Sequence, residues 1–479
     1  MLFNSYQFLI FFPVVTILYF LLPHRFRWVH LLIASCVFYM AFIPIYILIL
    51  FFTIIIDYIA GIMIERESGR RRKLFLVASI CANVGVLAFF KYYNFFTENV
   101  NAILSLLHIT THAVPLLKII LPIGLSFHTF QAMSYTIEVY RGHQKAERHF
   151  GIYALYVMFY PQLVAGPIER PQNLLHQFKE EHKFDSQNLL DGLRLMLWGF
   201  FKKLVIADRL AQYVSIVYGT PGEFHYMNLV VATLFFTIQI YCDFSGYSDI
   251  AIGAAKTMGF DLMINFRRPY FSTNIQEFWK RWHISLSTWF RDYLYISLGG
   301  NRVSVARVYF NVGVVFVVSG IWHGANWTFL IWGALHTVFI LTYMFINQFT
   351  RFKLPDSFMS NILSGIFTFF LVAFAWIFFR ANNVSDAFLI VKHIATFYHQ
   401  VPYRMPLIDL INSAEFGRFA IAVGILMSIF MFVSETRLSV NLSNLNPKPV
   451  LDIAFCTLIL AMIVMFGVFH NNSFIYFQF

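Results

Sequence analysis

The chain has 479 residues, of which 59% are hydrophobic and only 12% are charged, and its mean hydropathy is +0.65. This apolar content exceeds what a water-soluble core of such a length needs, so the composition excludes an ordinary soluble protein and indicates a chain embedded in lipid. The net charge of +11 comes from short Lys/Arg clusters scattered between apolar runs. A nucleic-acid partner would require one contiguous basic face, and none is expected.

Apolar runs close to the length of one membrane crossing recur along the whole chain. They predict an all-α, polytopic integral membrane protein of roughly 11 to 13 helices, some of them re-entrant or interfacial. The predicted spans lie near residues 6–22, 29–63 (two helices broken around Pro44), 74–107 (two helices), 114–140, 149–166, 187–217, 226–243, 246–260, 305–322, 325–347, 360–379, 414–435 and 449–470. Because no long polar segment divides them, we expect a single membrane domain over residues 1–479.

Basic clusters between these spans predict the topology. Lys/Arg-rich short loops stay on the cytoplasmic side of a membrane, so we place the clusters there. They are "HRFR" (24–27), "ERESGRRRK" (65–73), "YRGHQKAER" (140–148) and "FKK" (201–203).

Three polar side chains interrupt the apolar spans. Gln131 lies in "LPIGLSFHTFQAMSY" (121–135), and Asp243 and Asp249 lie in "YCDFSGYSDIAIG" (241–253). Such groups are costly in hydrocarbon, so they usually face a cavity or a partner helix. The two aspartates leave a proton- or ion-coupled transporter open as an alternative function, although the inverted repeats typical of transporters are not found.

Residues 274–302 have a different pattern, which predicts one amphipathic helix lying in the interface or lining a wet funnel. Its apolar stripe consists of Phe278, Trp282, Leu286, Trp289 and Tyr293. The polar positions Arg281, Ser285, Thr288 and Asp292 repeat at the same spacing on another face.

The segment "GIWHGANW" (320–327) places a histidine in apolar surroundings. A neutral imidazole suits removal of a proton from a hydroxyl, so His323 is a candidate general base. Gly324 would leave room for a substrate chain, and Asn326 could donate to a developing oxyanion. The alternative is that His323 only hydrogen-bonds between helices. His336 follows 13 residues later, which is about 220° around a continuous helix, so we predict no metal site from this pair.

Six separated motifs together resemble the membrane-bound O-acyltransferase family, in the family's order and over nearly the whole chain. Within the family, the resemblance is to bacterial membrane subunits of alginate, peptidoglycan and cell-wall acylation. The motifs are "LPIGLSFHTFQAMSYTIEVYRG", "VAGPIERP", "FWKRWHISLSTWFRDYLYISLGGNR", "GIWHGANWTFLIWGALH", "WIFFRA" and the terminal "FIYFQF".

The resemblance implies a reaction in a central tunnel. His323, in the family's "WHG" motif, would be the general base, and His283, in "RWHISLS", would position the donor or polarise its thioester carbonyl. The donor would be cytoplasmic acetyl-coenzyme A, a substrate rather than a tightly bound cofactor, and the acceptor a hydroxyl of an exported polysaccharide. Further candidates for substrate or donor binding are Trp322, Asn326, Arg281, Lys280, Gln131 and His336.

The resemblance also implies a location and partners. We expect a multi-pass protein of the bacterial cytoplasmic (inner) membrane, in contact with lipid and working with an extracytoplasmic SGNH-like or auxiliary acetylation protein. A non-catalytic scaffold of a polysaccharide-modification complex is the remaining alternative. Such a scaffold would tolerate loss of both His283 and His323.

Overall fold

The computed structural model describes residues 1–108, 113–118, 120–349, 357–397, 418–437, 449–469 and 474–475. Within these ranges the regular structure is helical and no residue lies in a strand. The chain forms two compact units. The first consists of Met1–Gly192 with Ala254–Met263, and the second of Leu193–Gly253 with Ile264–Phe479.

Nineteen α-helices are described, and three short π-helical segments continue some of them. The α-helices are α1 Tyr6–Leu21, α2 His24–Met40, α3 Ile47–Arg66, α4 Gly69–Leu87, α5 Tyr93–Leu106, α6 Leu125–Arg141, α7 Phe150–Met158, α8 Pro171–Leu174, α9 Ser186–Phe200, α10 Asp208–Gly219, α11 Tyr226–Thr257, α12 Ile275–Arg281, α13 Ile284–Trp289, α14 Val305–His323, α15 Trp327–Phe349, α16 Phe358–Arg380, α17 Val384–Ala395, α18 Arg418–Arg437 and α19 Pro449–Phe466. The π segments are Ala88–Tyr92, Phe201–Ala207 and Phe290–Tyr295.

The expectation of an all-α membrane protein is confirmed. Among the described residues, six helices are long and apolar enough to cross a membrane by length and composition, and three shorter helices are also apolar. The six are Pro44–Arg66, Gly69–Leu106, Tyr226–Thr257, Val305–His323, Trp327–Gln348 and Phe358–Arg380. The predicted break before Pro44 is present, since α2 ends at Met40.

Two predicted pairs of spans are single helices, so those predictions were wrong. Helices α4 and α5 form one continuous 38-residue helical stretch, Gly69–Leu106, because the π segment joins them where a break was expected. Residues 226–243 and 246–260 lie in one helix that ends at Thr257. Polar residues lower the hydropathy in mid-helix, but they do not end a helix when their side chains find partners.

Two further spans are shorter than predicted. The span 114–140 becomes a helix only at Leu125, just after Gly124 with φ of 78°. The span 149–166 ends as a helix at Met158. Pro161 follows closely, and the residue before a proline is disfavoured in helical conformation.

A buried carboxylate joins three helices of the first unit. Asp57 on α3 accepts hydrogen bonds from the Ser79 hydroxyl at 2.5 Å and from Asn83 Nδ2 at 2.8 and 2.9 Å, both on α4. Ser79 Oγ also lies 3.0 Å from Thr136 Oγ1 on α6. The hydrogen bonds from Ser79 and Asn83 satisfy the buried carboxylate, which would be costly if left unpaired.

In the second unit, α9 and α11 cross at two glycines. A Cβ placed on Gly199 would lie 2.6 Å from the Gly246 carbonyl oxygen, and one on Gly246 would lie 2.8 Å from the Gly199 carbonyl oxygen. Only glycine permits this approach of the two backbones. It brings the π segment that follows α9 beside the aspartates of α11.

The lysines of "FKK" are buried at this crossing, not placed in a basic surface cluster as predicted. Lys203 Nζ lies 2.6 Å from Asp243 Oδ1 and 2.9 Å from Asp208 Oδ1, and Lys202 pairs with Asp249. Asp243 Oδ2 also accepts from the Ile475 backbone N–H at 2.8 Å. Burial alone would lower the pKa of Lys203, but Asp243 and Asp208 hold it above its usual value. The lysines therefore balance Asp243 and Asp249 within the protein.

Replacing Asn83 with alanine tests the cluster in the first unit. The change removes both amide bonds to buried Asp57, so it should lower the free energy of unfolding by about 1–3 kcal/mol. Thermal unfolding in detergent measures the loss. Cys81→Ala is the matched control, because Cys81 is exposed on the same helix. Equal unfolding midpoints for the two variants would contradict the assignment.

Replacing Lys203 with methionine tests the second unit. The variant leaves Asp243 and Asp208 buried without their cation, which should destabilise the protein by about 3–5 kcal/mol. The folded fraction in size-exclusion chromatography and the unfolding midpoint report the effect. Lys183→Met, at an exposed position, should remain at wild-type stability. An unchanged midpoint for Lys203→Met would show that the ion pairs add nothing.

Candidate functional site

His283 interrupts the helix predicted over residues 274–302. Helix α12 ends at Arg281, α13 begins at Ile284, and His283 between them has φ of 44° and ψ of 56°. This left-handed conformation is unfavourable for a residue with a Cβ. The prediction of one continuous helix was therefore wrong, and the break is at the candidate histidine itself.

The predicted apolar stripe of this region is nevertheless buried along its whole length: Phe278, Trp282, Leu286, Trp289 and Tyr293. The polar face is less uniform than expected. Ser285 is fully buried, whereas Arg281 remains partly exposed.

The ring of His283 lies among aromatic side chains of the second unit. Its centroid is 4.6 Å from that of Phe244 in an edge contact, and it faces Phe266 and Trp322 at 6.4 and 6.3 Å. The residue is 1% exposed. This burial lowers the pKa of His283 from its usual value to about 3. His283 is therefore a neutral imidazole near pH 7.

His323 is the last residue of α14. Gly324 follows in extended conformation, with φ of −163° and ψ of 152°, and ends the helix. A Cβ on Gly324 would collide with the ring of Phe329. The space that we expected Gly324 to leave for a substrate chain is thus occupied by Phe329.

The His323 ring is packed on three sides by aromatic rings. Its centroid lies 4.8 Å from Trp322, 5.1 Å from Trp332 and 5.2 Å from Phe379. The residue is 6% exposed. It faces the interior of the second unit and not the lipid.

His323 and His336 both contact one indole, that of Trp332. The Trp332 centroid is 5.1 Å from His323 and 4.8 Å from His336. The expectation that the two histidines point apart assumed a continuous helix, but the chain turns at Gly324–Asn326 and α14 and α15 pack as a hairpin. His336 is fully buried, and its Nδ1 lies 3.3 Å from the Nε1–H donor of Trp279.

Trp322 connects the two main candidates, since its ring contacts those of both His283 and His323. Asn326 has a different position from the one that an oxyanion donor needs. Its Nδ2 donates to the Asn382 carbonyl at 3.0 Å, and its Oδ1 accepts from the Thr328 N–H at the start of α15.

The remaining candidates lie outside the aromatic cluster. The Arg281 guanidinium donates to Glu277 one turn earlier on α12, and Lys280 beside it is exposed. Gln131 belongs to the first unit, where its amide donates to the Tyr156 carbonyl at 2.5 Å. Substrate or donor binding by these three residues stays a prediction.

Sequence reasoning missed most of the aromatic wall. Beyond Trp322, the rings that surround the histidines are Phe244, Phe266, Trp279, Trp332, Trp376 and Phe379. They come from five separate segments, so spacing along the chain gives no signal for them. Among the described residues, no group of three or more His, Cys, Asp or Glu side chains is arranged to hold a metal ion.

Comparison with known proteins shows the family. A sequence profile described as MBOAT, membrane-bound O-acyltransferase family, matches residues 79–382. The chain is 40% identical to the probable alginate O-acetylase of Azotobacter vinelandii over 396 residues, which are 81% of this chain and 76% of the relative. The chain belongs to the membrane-bound O-acyltransferase family, and is thus a multi-pass membrane O-acyltransferase that uses an acyl donor.

Two other relatives are named for different activities. A peptidoglycan O-acetyltransferase of Helicobacter pylori is 36% identical over 428 residues, with 82% of this chain and 79% of the relative covered. A teichoic acid D-alanyltransferase of Bacillus subtilis is 28% identical over 281 residues, with 54% and 69% covered.

The low pKa of His283 predicts how stability depends on pH. The unfolded chain takes up a proton on this histidine near pH 6.5, whereas the folded protein does so only near pH 3. The contribution of His283 to the free energy of unfolding is therefore complete above pH 6.5. Between pH 6.5 and about pH 3 it is lost as the pH falls, by about 1.4 kcal/mol per pH unit. We expect His283→Asn to show a shallower loss of stability than the wild type in unfolding titrations.

A control separates titration from packing. Thr288→Val removes a hydroxyl from the neighbouring helix and no titratable group, so it should keep the wild-type slope. If His283→Asn also keeps that slope, His283 is not held neutral in the folded protein.

Proposed function

We propose that this member of the membrane-bound O-acyltransferase family transfers acetyl groups from cytoplasmic acetyl-coenzyme A to hydroxyls of an exported polysaccharide. In this proposal, residues 1–479 act as a single membrane domain, and the membrane is the bacterial cytoplasmic membrane. The observation that carries the proposal is the placement of two buried histidines, His283 and His323, against the same indole of Trp322. The activities for which the relatives are named support acetyl as the group and a cell-surface glycan as the acceptor.

His323 acts as the general base. Its imidazole removes the proton of the acceptor hydroxyl while that oxygen attacks the thioester carbonyl carbon. The tetrahedral intermediate then collapses, the carbon–sulfur bond breaks, and the imidazolium returns its proton to the thiolate. The products are the acetyl ester and free coenzyme A, so no proton is gained or lost overall.

His283 acts on the donor. Because it is neutral, one of its ring nitrogens carries a proton, which it donates to the thioester carbonyl oxygen. In dry aromatic surroundings this hydrogen bond is stronger than in water, and it strengthens as negative charge develops on the oxygen. The left-handed turn holds the ring at the junction of α12 and α13, so it needs no rearrangement at the moment of reaction.

The other candidates have supporting roles in this proposal. Trp322 forms a wall of the reaction tunnel, and His336 stiffens the cluster through Trp279 and Trp332. Lys280 and Arg281 meet the phosphates of coenzyme A at the cytoplasmic mouth. Asn326 can reach an oxyanion only by giving up the Asn382 carbonyl, so we assign it to the turn between α14 and α15.

On the acceptor side, transfer to the glycan is either direct or completed by an extracytoplasmic partner. We infer that this partner is an SGNH-like or auxiliary acetylation protein.

The decisive variant is His323→Ala, expressed in a host strain from which the native gene has been deleted. Loss of the general base should lower the ester-linked acetyl content of the exported polysaccharide by roughly 10²- to 10⁴-fold. Mass analysis of the glycan measures it. A matched control is His393→Ala, because His393 is another buried histidine of the second unit on α17.

Three outcomes are distinguishable. Loss of acetylation in His323→Ala, with normal acetylation in the control His393→Ala, supports the proposal. Full acetylation in both His323→Ala and His283→Ala would identify a scaffold instead of an enzyme. If mass analysis of the glycan finds an acyl group other than acetyl, the catalytic site is retained but the choice of acetyl-coenzyme A as the donor is wrong.

A further inference from the structure

The left-handed turn at His283 is held by backbone bonds on both of its sides. The Arg281 carbonyl before the turn accepts from the Arg267 N–H at 2.9 Å. The Ile284 N–H after the turn donates to the Asn265 carbonyl, also at 2.9 Å. Residues 265–267 thus lie antiparallel to the turn. A non-glycine residue with positive φ persists only where its surroundings impose that conformation.

The Asn265 side chain adds a second connection to the same turn. Its Oδ1 accepts from the Ser285 N–H at 3.2 Å and from the Ser285 hydroxyl at 2.7 Å. Both residues are buried, Asn265 at 1% exposure. The amide therefore binds α13 two residues after His283, at the first turn of that helix.

The other end of the same amide binds α11. Asn265 Nδ2 donates to Ser248 Oγ at 3.1 Å. Ser248 lies one helical turn after Phe244, so the two share a face of α11. Phe244 is the residue whose ring contacts the edge of His283 at 4.6 Å. One carboxamide thus spans the two elements between which the imidazole is packed.

We propose that Asn265 is a positioning residue for His283. The side-chain amide of Asn265 fixes the separation of α11 from α13, and its backbone carbonyl maintains the left-handed turn. The imidazole is therefore oriented before the donor binds. This inference rests on the proposed function, in which His283 contacts the donor thioester. Asn265 itself touches no reacting atom.

The test uses Asn265→Ala in inverted membrane vesicles of the host, with acetyl-coenzyme A labelled in the acetyl group as the probe. Rates of ester formation are divided by the amount of folded protein from size-exclusion chromatography. We expect kcat/KM for acetyl-coenzyme A to fall by roughly 10- to 100-fold, because a displacement of about 1 Å at a catalytic group has that effect. The KM should rise, since His283 meets the donor.

The conservative variant Asn265→Asp separates positioning from simple loss of the side chain. A carboxyl group keeps the acceptor for Ser285, and Ser248 can donate to it because a hydroxyl both donates and accepts. We expect this variant to recover most of the wild-type KM. Thr237→Val is the matched control, because Thr237 is a buried hydroxyl of α11 that bonds to Thr233 of its own helix. It should behave as the wild type.

A structural role alone gives a different result. Fewer folded molecules would lower the uncorrected rate but leave KM and the rate per folded molecule unchanged, and this outcome would overturn the inference. If Asn265→Ala does not fold, Ser248→Ala replaces it, since it removes one bond and should lower kcat/KM by roughly two- to tenfold. A wild-type value for Ser248→Ala would then overturn the inference.

Failure of this inference differs from failure of the proposed function. If His283→Ala abolishes transfer while Asn265→Ala keeps wild-type constants per folded molecule, only the positioning role is wrong. If His283→Ala and His323→Ala both retain wild-type transfer, the proposed function itself is wrong.

Discussion

The second unit depends on keeping imidazole rings away from water. A charged imidazole is strongly disfavoured among aromatic side chains, so burial keeps the ring in its neutral form. His283 and His323 are surrounded by rings from α11, α14, α15 and α16, and Trp322 contacts both of them. For His283, the neutral form that a hydrogen-bond donor to a thioester needs is thus a consequence of packing and requires no neighbouring charge.

The same unit also contains buried charges, and it treats them in the opposite way. Burying an isolated lysine cation is energetically costly, so each lysine is paired with an aspartate of α11. Lys202 pairs with Asp249, and Lys203 pairs with Asp243. The pairing is possible only because Gly199 and Gly246 let the two backbones approach. Buried charges are paired at this helix crossing, whereas the aromatic rings around His283 and His323 surround histidines instead of paired ions. A proton-relay function for the aspartates has no support in this arrangement.

Hydropathy predicted the helices best where no acidic residue interrupts the apolar run, as for α14, α15 and α16. It divided α11 in two because Asp243 and Gly246 lower the local hydropathy. Both residues contact the segment around Gly199 and Lys203, and the hydropathy of a single segment does not contain such a tertiary contact. For the same reason the lysines of "FKK" resembled a surface cluster. Periodicity correctly predicted the buried stripe from Phe278 to Tyr293, but it could not predict the break at His283. That break depends on hydrogen bonds from residues 265–267, which are distant from the helix pattern.

The candidate site shows the same division between local and tertiary information. His323 was recognisable as a histidine in apolar surroundings, and His283 was recognisable from the resemblance of "RWHISLS" to the family motif. Their relation to each other and to His336 was not recognisable, because it depends on where α14 stops. Gly324 ends that helix and lies against the ring of Phe329, and the resulting hairpin brings Trp332 into contact with both His323 and His336. A continuous helix through the same residues would separate the two histidines, so the glycine that looked like an opening for substrate serves instead to build the wall around the base.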